Sequence, residues 1–185
     1  MRNVISNALF TLSALVIVLA GCSKGKSIAD LIKDLKSSHR HARFEAAKAL
    51  GEYGSNAAKA APDLIEALND PEAKVRHAAA RSLGQIGPAG KEAIPGLIKA
   101  LQDTDARVRH SAATALGRFG SDSREAVPDL ILLLKDKDPK IREAAAHALG
   151  KMGPDAKGAS TALKNAMNDR IQKVRDAAAG ALKRI

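Results

Sequence analysis

Residues 93–120 read AIPGLIKALQDTDARVRHSAATALGRFG, two helical patterns joined by a short polar turn. In Ala93–Leu101 the apolar residues Ile94, Leu97, Ile98 and Leu101 keep the i, i+3, i+4, i+7 spacing of one helix face. Pro95 stands near the start, where a missing N–H costs least. Asp103 and Asp105 are candidate N-caps for a second helix, Ala106–Phe119. Val108, Ala112, Ala115, Leu116 and Phe119 form its buried stripe, and Gly120 ends it as a C′ glycine.

The pattern repeats at a fixed interval on both sides of this stretch. Leu50, Leu83, Leu116, Leu149 and Leu182 are 33 residues apart, and so are Arg43, Arg76, Arg109, Arg142 and Arg175. Asp70, Asp103, Asp136 and Asp169, and Gly54, Gly87, Gly120 and Gly153, keep the same interval. A period in this range means stacked supersecondary units, because one helix pair cannot bury its apolar face alone. The alanine columns at 79, 112, 145, 178 and 80, 113, 146, 179 let neighbouring helices approach closely.

These residues resemble HEAT repeats in their short bacterial form, the phycobilisome-lyase HEAT-like subclass. The resemblance rests on Asp103-x4-Val108-Arg109-x2-Ala112-Ala113-x2-Leu116-Gly117 and its copies. It implies an all-α fold, a right-handed α-solenoid of about five 33-residue helix-turn-helix repeats, at 28–56, 57–89, 90–122, 123–155 and 156–185. The end repeats depart from the signature. Ser37 replaces Asp and Ala29 replaces Pro in the first; Thr161, Lys164 and Lys183 replace Pro, Ile and Gly in the last. Polar changes at both ends suit solenoid caps, whose outer faces meet water. A tetratricopeptide array wants aromatic positions that are missing here, and ankyrin needs a Thr-Pro-Leu-His turn that this chain lacks.

The first residues have a different character. Ala8–Ala20 is an uncharged apolar run, short for a bilayer span and the length of a signal-peptide h-region. Leu19-Ala20-Gly21-Cys22 follows and resembles a bacterial lipobox. That implies a signal peptide at 1–21, lipidation of Cys22 (palmitate among the acyl chains) and a short tether over 22–27. The expected address is the cell envelope, lipid-anchored, at the outer membrane facing the periplasm if the host has two membranes.

Composition narrows the function. Cys22 is the single cysteine, which excludes an internal disulfide framework and any multi-cysteine zinc site. Aromatics are 2% of the 185 residues, which argues against base-stacking platforms. No Gly-x-Ser-x-Gly elbow, phosphate-binding glycine loop or His-Glu-x-x-His motif occurs, so no catalytic residue, metal or cofactor beyond the lipid on Cys22 is expected. His39, His41, His77, His110 and His147 lack metal-ligand spacing. In HEAT families the matching Asp and Arg residues form a ladder between adjacent repeats. The resemblance gives that structural role to Asp70, Asp103, Asp136 and Asp169 and to Arg43, Arg76, Arg109, Arg142 and Arg175. The glycine columns are read as helix ends.

Thirty basic residues against twenty acidic give a net charge of +10, which favours an acidic partner. His41, Lys74, Arg107, Lys140 and Lys173 occupy one column of the second helices. The same face continues through Arg81, Arg118 and Lys151. In HEAT arrays the second helices line the concave surface. The candidate partner-binding residues are therefore Lys74, Arg81, Arg107, Arg118, Lys140, Lys151 and Lys173. A solvated face that keeps an alanine-rich protein soluble would carry the same charges. The leading expectation is a membrane-anchored, non-catalytic scaffold offering a basic concave surface to an acidic protein or envelope polyanion. The alternatives are a bilin lyase/isomerase-like enzyme subunit, which some members of the subclass are, and a nucleic-acid-binding HEAT-like protein. Nucleic acid is disfavoured by the export signal, and no small-molecule substrate is evident.

Overall fold

The computed structural model describes residues 25–185; the signal segment and Cys22 lie outside the described residues. Five antiparallel helix pairs follow one another: α1 (Ile28–Leu35) and α2 (Arg40–Glu52), α3 (Ala61–Ala67) and α4 (Ala73–Ile86), α5 (Ile94–Ala100) and α6 (Ala106–Phe119), α7 (Val127–Leu133) and α8 (Pro139–Met152), and α9 (Ser160–Ala166) and α10 (Gln172–Leu182). Short 3-10 segments at Gly54–Ala60, Gly87–Ala93, Gly120–Ala126 and Gly153–Ala159 lead into α3, α5, α7 and α9. The pairs stack into an α-solenoid, each second helix packed on the next. None of the helices among the described residues is long and apolar enough to cross a membrane.

Small residues make this stack close. Ala79, Ala80, Ala112, Ala113, Ala145, Ala146 and Ala178 are fully buried, with Leu50, Leu83, Leu116 and Leu149 behind them. Pro62, Pro95 and Pro128 occupy the first turns of α3, α5 and α7, where the backbone N–H has no helical acceptor. Gly87 and Gly120 follow α4 and α6 at φ of 72° and 58°, the left-handed conformation that glycine enters without strain.

A second glycine column has a different cause, and reading every glycine as a helix end is corrected here. Gly84, Gly117 and Gly150 lie inside α4, α6 and α8, against the backbone of the next second helix. A Cβ on Gly117 would fall 2.9 Å from Ala148 Cα, and one on Gly84 or Gly150 would fall 2.8 Å from Ala115 Cα or Ala181 Cα. Only glycine fits. Lys183 holds the equivalent position in the last repeat, and among the described residues no helix packs against it there.

Asp103 is not the N-cap of α6. Asp105 is: its carboxylate accepts from the Arg107 N–H, as Asp138 does from the Lys140 N–H at α8. Asp103 instead accepts from the Asp105 N–H at 2.8 Å, which shapes the turn before the helix. At the other end Ser27 caps α1 through a capping box, and Lys26 reaches Asp34 at 2.6 Å and Tyr53 through its carbonyl. The last two residues of the expected tether are thereby tied to the first repeat.

Candidate functional site

Two sets of charged side chains run the length of the solenoid, and their surroundings separate structure from function. The first is the ladder. Arg43 pairs with Asp70, Arg76 with Asp103, Arg109 with Asp136, and Arg142 with Asp169. Each pair is bidentate: Nε of Arg76 donates to Asp103 at 2.7 Å and Nη2 at 2.8 Å. Each arginine also donates to the carbonyl of its own repeat's turn, as Arg109 Nη1 does to Asp103 O at 2.8 Å. The arginine of one repeat thus clamps its own turn and the aspartate of the next.

These side chains are 8–15% exposed, so the ladder is mostly shielded from water. Burial alone would raise the Asp70 and Asp136 carboxyls; the arginine and backbone hydrogen bonds outweigh it and hold both below the usual range. At Asp103 and Asp169 the arginine hydrogen bond is the largest influence, and it too lowers them. The two end departures follow directly. Among the described residues the Ser37 side chain receives no arginine, and its Oγ accepts from the His39 N–H. Among the described residues the Arg175 guanidinium bonds no aspartate side chain, and it donates to Asp169 O and to Gln172 instead.

The second set is the basic face. Lys74, Arg81, Arg107, Arg118, Lys140, Lys151 and Lys173 are all exposed. They project from α4, α6, α8 and α10 because the opposite sides of those helices carry the buried alanines and leucines. Three open clefts follow one another along this face. The first, between α2 and α4, shares His77 and Arg81 with the next. The second, between α4 and α6, shares His110 and Thr114 with the third. The third is the largest, about 720 Å³, and contains Lys140, Lys151 and Lys173. Among the described residues Lys74, Arg81, Arg118, Lys140, Lys151 and Lys173 form no ion pair. Arg107 differs: its guanidinium bonds Asp105 at 2.7 Å, and that hydrogen bond heads the causes that bring the Asp105 carboxyl down to about 2. Its charge is partly answered by Asp105 at the start of its own helix.

Sequence reasoning missed two contributors. Ser111 is buried at the base of the middle cleft, its Oγ 2.9 Å from His77 Nδ1, and Thr114 lines the same cleft. Their signal is a departure from the alanine or basic residue that most repeats carry at those positions. Among the described residues no cluster of three or more His, Cys, Asp or Glu side chains could hold a metal ion.

The chain belongs to the HEAT-repeat family: the HEAT repeats model matches residues 61–124 and 94–183, and the PBS lyase HEAT-like repeat matches 42–70. No curated protein matches it. Among solved structures it is similar to the complex of CpcE and CpcF of phycocyanin lyase from Nostoc sp. PCC7120. The identity there is 29% and the TM-score 0.79, over 93% of this chain and 70% of that one. An engineered protein is 27% identical at a TM-score of 0.70, covering 85% of this chain and 78% of its own. A designed armadillo repeat protein in complex with the peptide (KR)4 shares the fold at 20% identity and a TM-score of 0.73, over 84% and 80% of the two chains.

Proposed function

We propose that the chain is a membrane-anchored, non-catalytic scaffold whose second-helix face binds an acidic protein or envelope polyanion. One observation carries this reading. Among the described residues five exposed cations without ion pairs, Arg81, Arg118, Lys140, Lys151 and Lys173, line three connected clefts on one face, with Lys74 exposed on the same helices, whereas Arg43, Arg76, Arg109 and Arg142 of the ladder are shielded and paired. Stacked helices lie about 8–10 Å apart, so successive cations are spaced near one Debye length at physiological salt. A line of that spacing favours an extended acidic surface over a small anion, which could touch only one or two members. Protein partners also suit repeat solenoids, whose extended surfaces are their usual binding sites. The lipobox ending at Cys22 supports an envelope address, with lipid as the membrane anchor.

Affinity capture with the intact lipidated protein from its own envelope, repeated at rising salt, tests this. An acidic partner released steeply by salt supports the reading; a partner held equally at low and high salt contradicts it.

A second reading is favoured by the likeness to the phycocyanin lyase complex: a bilin-handling subunit. Visible absorbance retained by the purified protein after incubation with a bilin would support it, and a colourless protein would count against it.

A further inference from the structure

The exact repeat allows each cleft on the basic face to be compared with its copies, and one departs from the rest. The cleft between α4 and α6 is lined by Arg81, Arg118, His77, His110, Ser111 and Thr114, with Gly84 and Ala115 between them. It holds about 240 Å³ and has no carboxylate in its lining. In the cleft before it, Lys48 and Gln85 take the two arginine positions, and Glu52 joins the wall. In the cleft after it, Thr114 and Lys151 take them, and Glu143 faces His110. Between α8 and α10 the same register gives His147 and Arg184 with Glu143 and Asp176. Two arginines and two histidines without an acid occur together once.

The local packing holds this arrangement open. A Cβ on Gly84 would already lie 3.6 Å from Arg118 Cδ, so the missing side chain leaves the arginine stem room to lie across α4. His77 Nδ1 is 3.1 Å from the Arg107 carbonyl, an acceptor only, which places the ring hydrogen on Nδ1. Ser111 Oγ accepts from that same nitrogen, and its own hydrogen is left for another acceptor. Thr114 is committed to the His110 carbonyl at 2.9 Å. Among the described residues neither Arg81 nor Arg118 has an ion pair or a side-chain hydrogen bond. The cleft therefore offers two unengaged guanidinium forks and a hydroxyl, with no carboxylate in its own lining; Asp138 and Glu143 act on His110 from the side of the next cleft.

We propose that the cleft between α4 and α6 is an oxyanion site that takes a phosphoryl group between Arg81 and Arg118. Two planar forks supply more N–H donors than the two oxygens of a carboxylate can accept, and from more than one direction. A tetrahedral phosphoryl group, with three terminal oxygens and up to two charges, matches that donor set. The surrounding protein, and then His77, keep the His110 pKa below its ordinary value, so at neutral pH the fixed charge comes from the arginines. The group could come from a phospholipid headgroup or from a soluble phosphate ester. Arg81 and Arg118 also belong to the basic face proposed above, so the site deepens that reading; Lys74, Lys140 and Lys173 lie outside this cleft, and substituting them separates the two.

The test titrates the full chain calorimetrically with inorganic phosphate and, in parallel, with acetate. Saturable binding of one phosphate per chain is expected, with acetate at least tenfold weaker. Arg81→Gln with Arg118→Gln, both exposed positions, should weaken phosphate binding at least tenfold with helicity unchanged. Lys140→Gln with Lys173→Gln should change it less than twofold. Competition by phosphatidic acid vesicles, but not by phosphatidylcholine vesicles, assigns the site to a lipid headgroup; competition by glycerol phosphate alone assigns it to a soluble ester. Absence of saturable phosphate binding, equal affinity for acetate, or equal loss in the two double variants overturns the site. Partner capture that survives the arginine substitutions would leave the scaffold reading standing.

Discussion

Replacing Arg109 with alanine removes the central rung of the ladder and tests whether the rungs hold the repeats together. The substitution deletes two hydrogen bonds to Asp136, at 2.8 and 3.2 Å, and the two donated to the Asp103 and Thr104 carbonyls. The Asp136 side chain, 10% exposed, keeps only the Asp138 N–H. Stranding a shielded charged group costs about 2–3 kcal/mol, toward the upper end for an unmade hydrogen bond because the group is ionic. With a urea slope of about 2 kcal/mol/M, the unfolding midpoint should fall by roughly 1 M. Arg175→Ala is the internal control, since among the described residues its guanidinium bonds no aspartate side chain; its loss should stay below about 1 kcal/mol. A double variant, Arg109→Ala with Asp136→Ala, should lose less than the sum of the two single changes. Equal midpoint shifts for Arg109→Ala and Arg175→Ala would show that bidentate pairing adds nothing to the fold.

Gly117→Ala should destabilise by about 1–3 kcal/mol through overpacking against Ala148, whereas Gly158→Ala, with open space around its Cβ, should be close to neutral; urea melts of both separate the two glycine roles. The ladder aspartates have lowered pKa values when folded. The unfolded state therefore binds protons first, and the ladder's contribution is complete above the unfolded aspartate value of about 3.9. It should be lost as pH falls through the folded values, an acid decline that urea midpoints recorded against pH would show reduced in Arg109→Ala. His110 works in the same direction at higher pH: its depressed folded value favours the neutral ring, so stability should slip as pH falls below about 6.5, and His110→Asn should remove that step. Intact mass spectrometry of the native protein should find a chain that begins at a lipid-bearing Cys22; any other N-terminus contradicts the envelope address.

The fold was legible in the sequence because the repeat is exact. Five leucines and five arginines on one interval fix the helix pairs, and the apolar spacing fixes their inner faces. The rungs were legible as columns but not as pairs. Sequence sets Asp103 six residues before Arg109, yet Arg109 reaches forward 27 residues to Asp136, because the partner is decided by the stagger between stacked repeats. The glycine at 117 looked like those that end helices, since the letter is the same whether φ or a neighbouring backbone demands it. On the basic face, the cations could be counted from sequence. That Arg107 is answered by Asp105 while Arg81 and Arg118 are not depends on side-chain geometry, and so does the separation of one cleft from its copies.

The most direct measurement compares two charge-reversed proteins for retention of the natural partner at physiological salt. Lys74→Glu, Lys140→Glu and Lys173→Glu together alter the unpaired members of the second-helix column. Lys59→Glu, Lys91→Glu and Arg124→Glu change the net charge equally, at exposed positions in the 3-10 segments before the first helices. With circular dichroism unchanged in both, the first variant should lose the partner and the second should keep it, because the contact is to a line of cations and not to net charge. Equal retention by both variants would make the basic face a solubility device and contradict the proposed function.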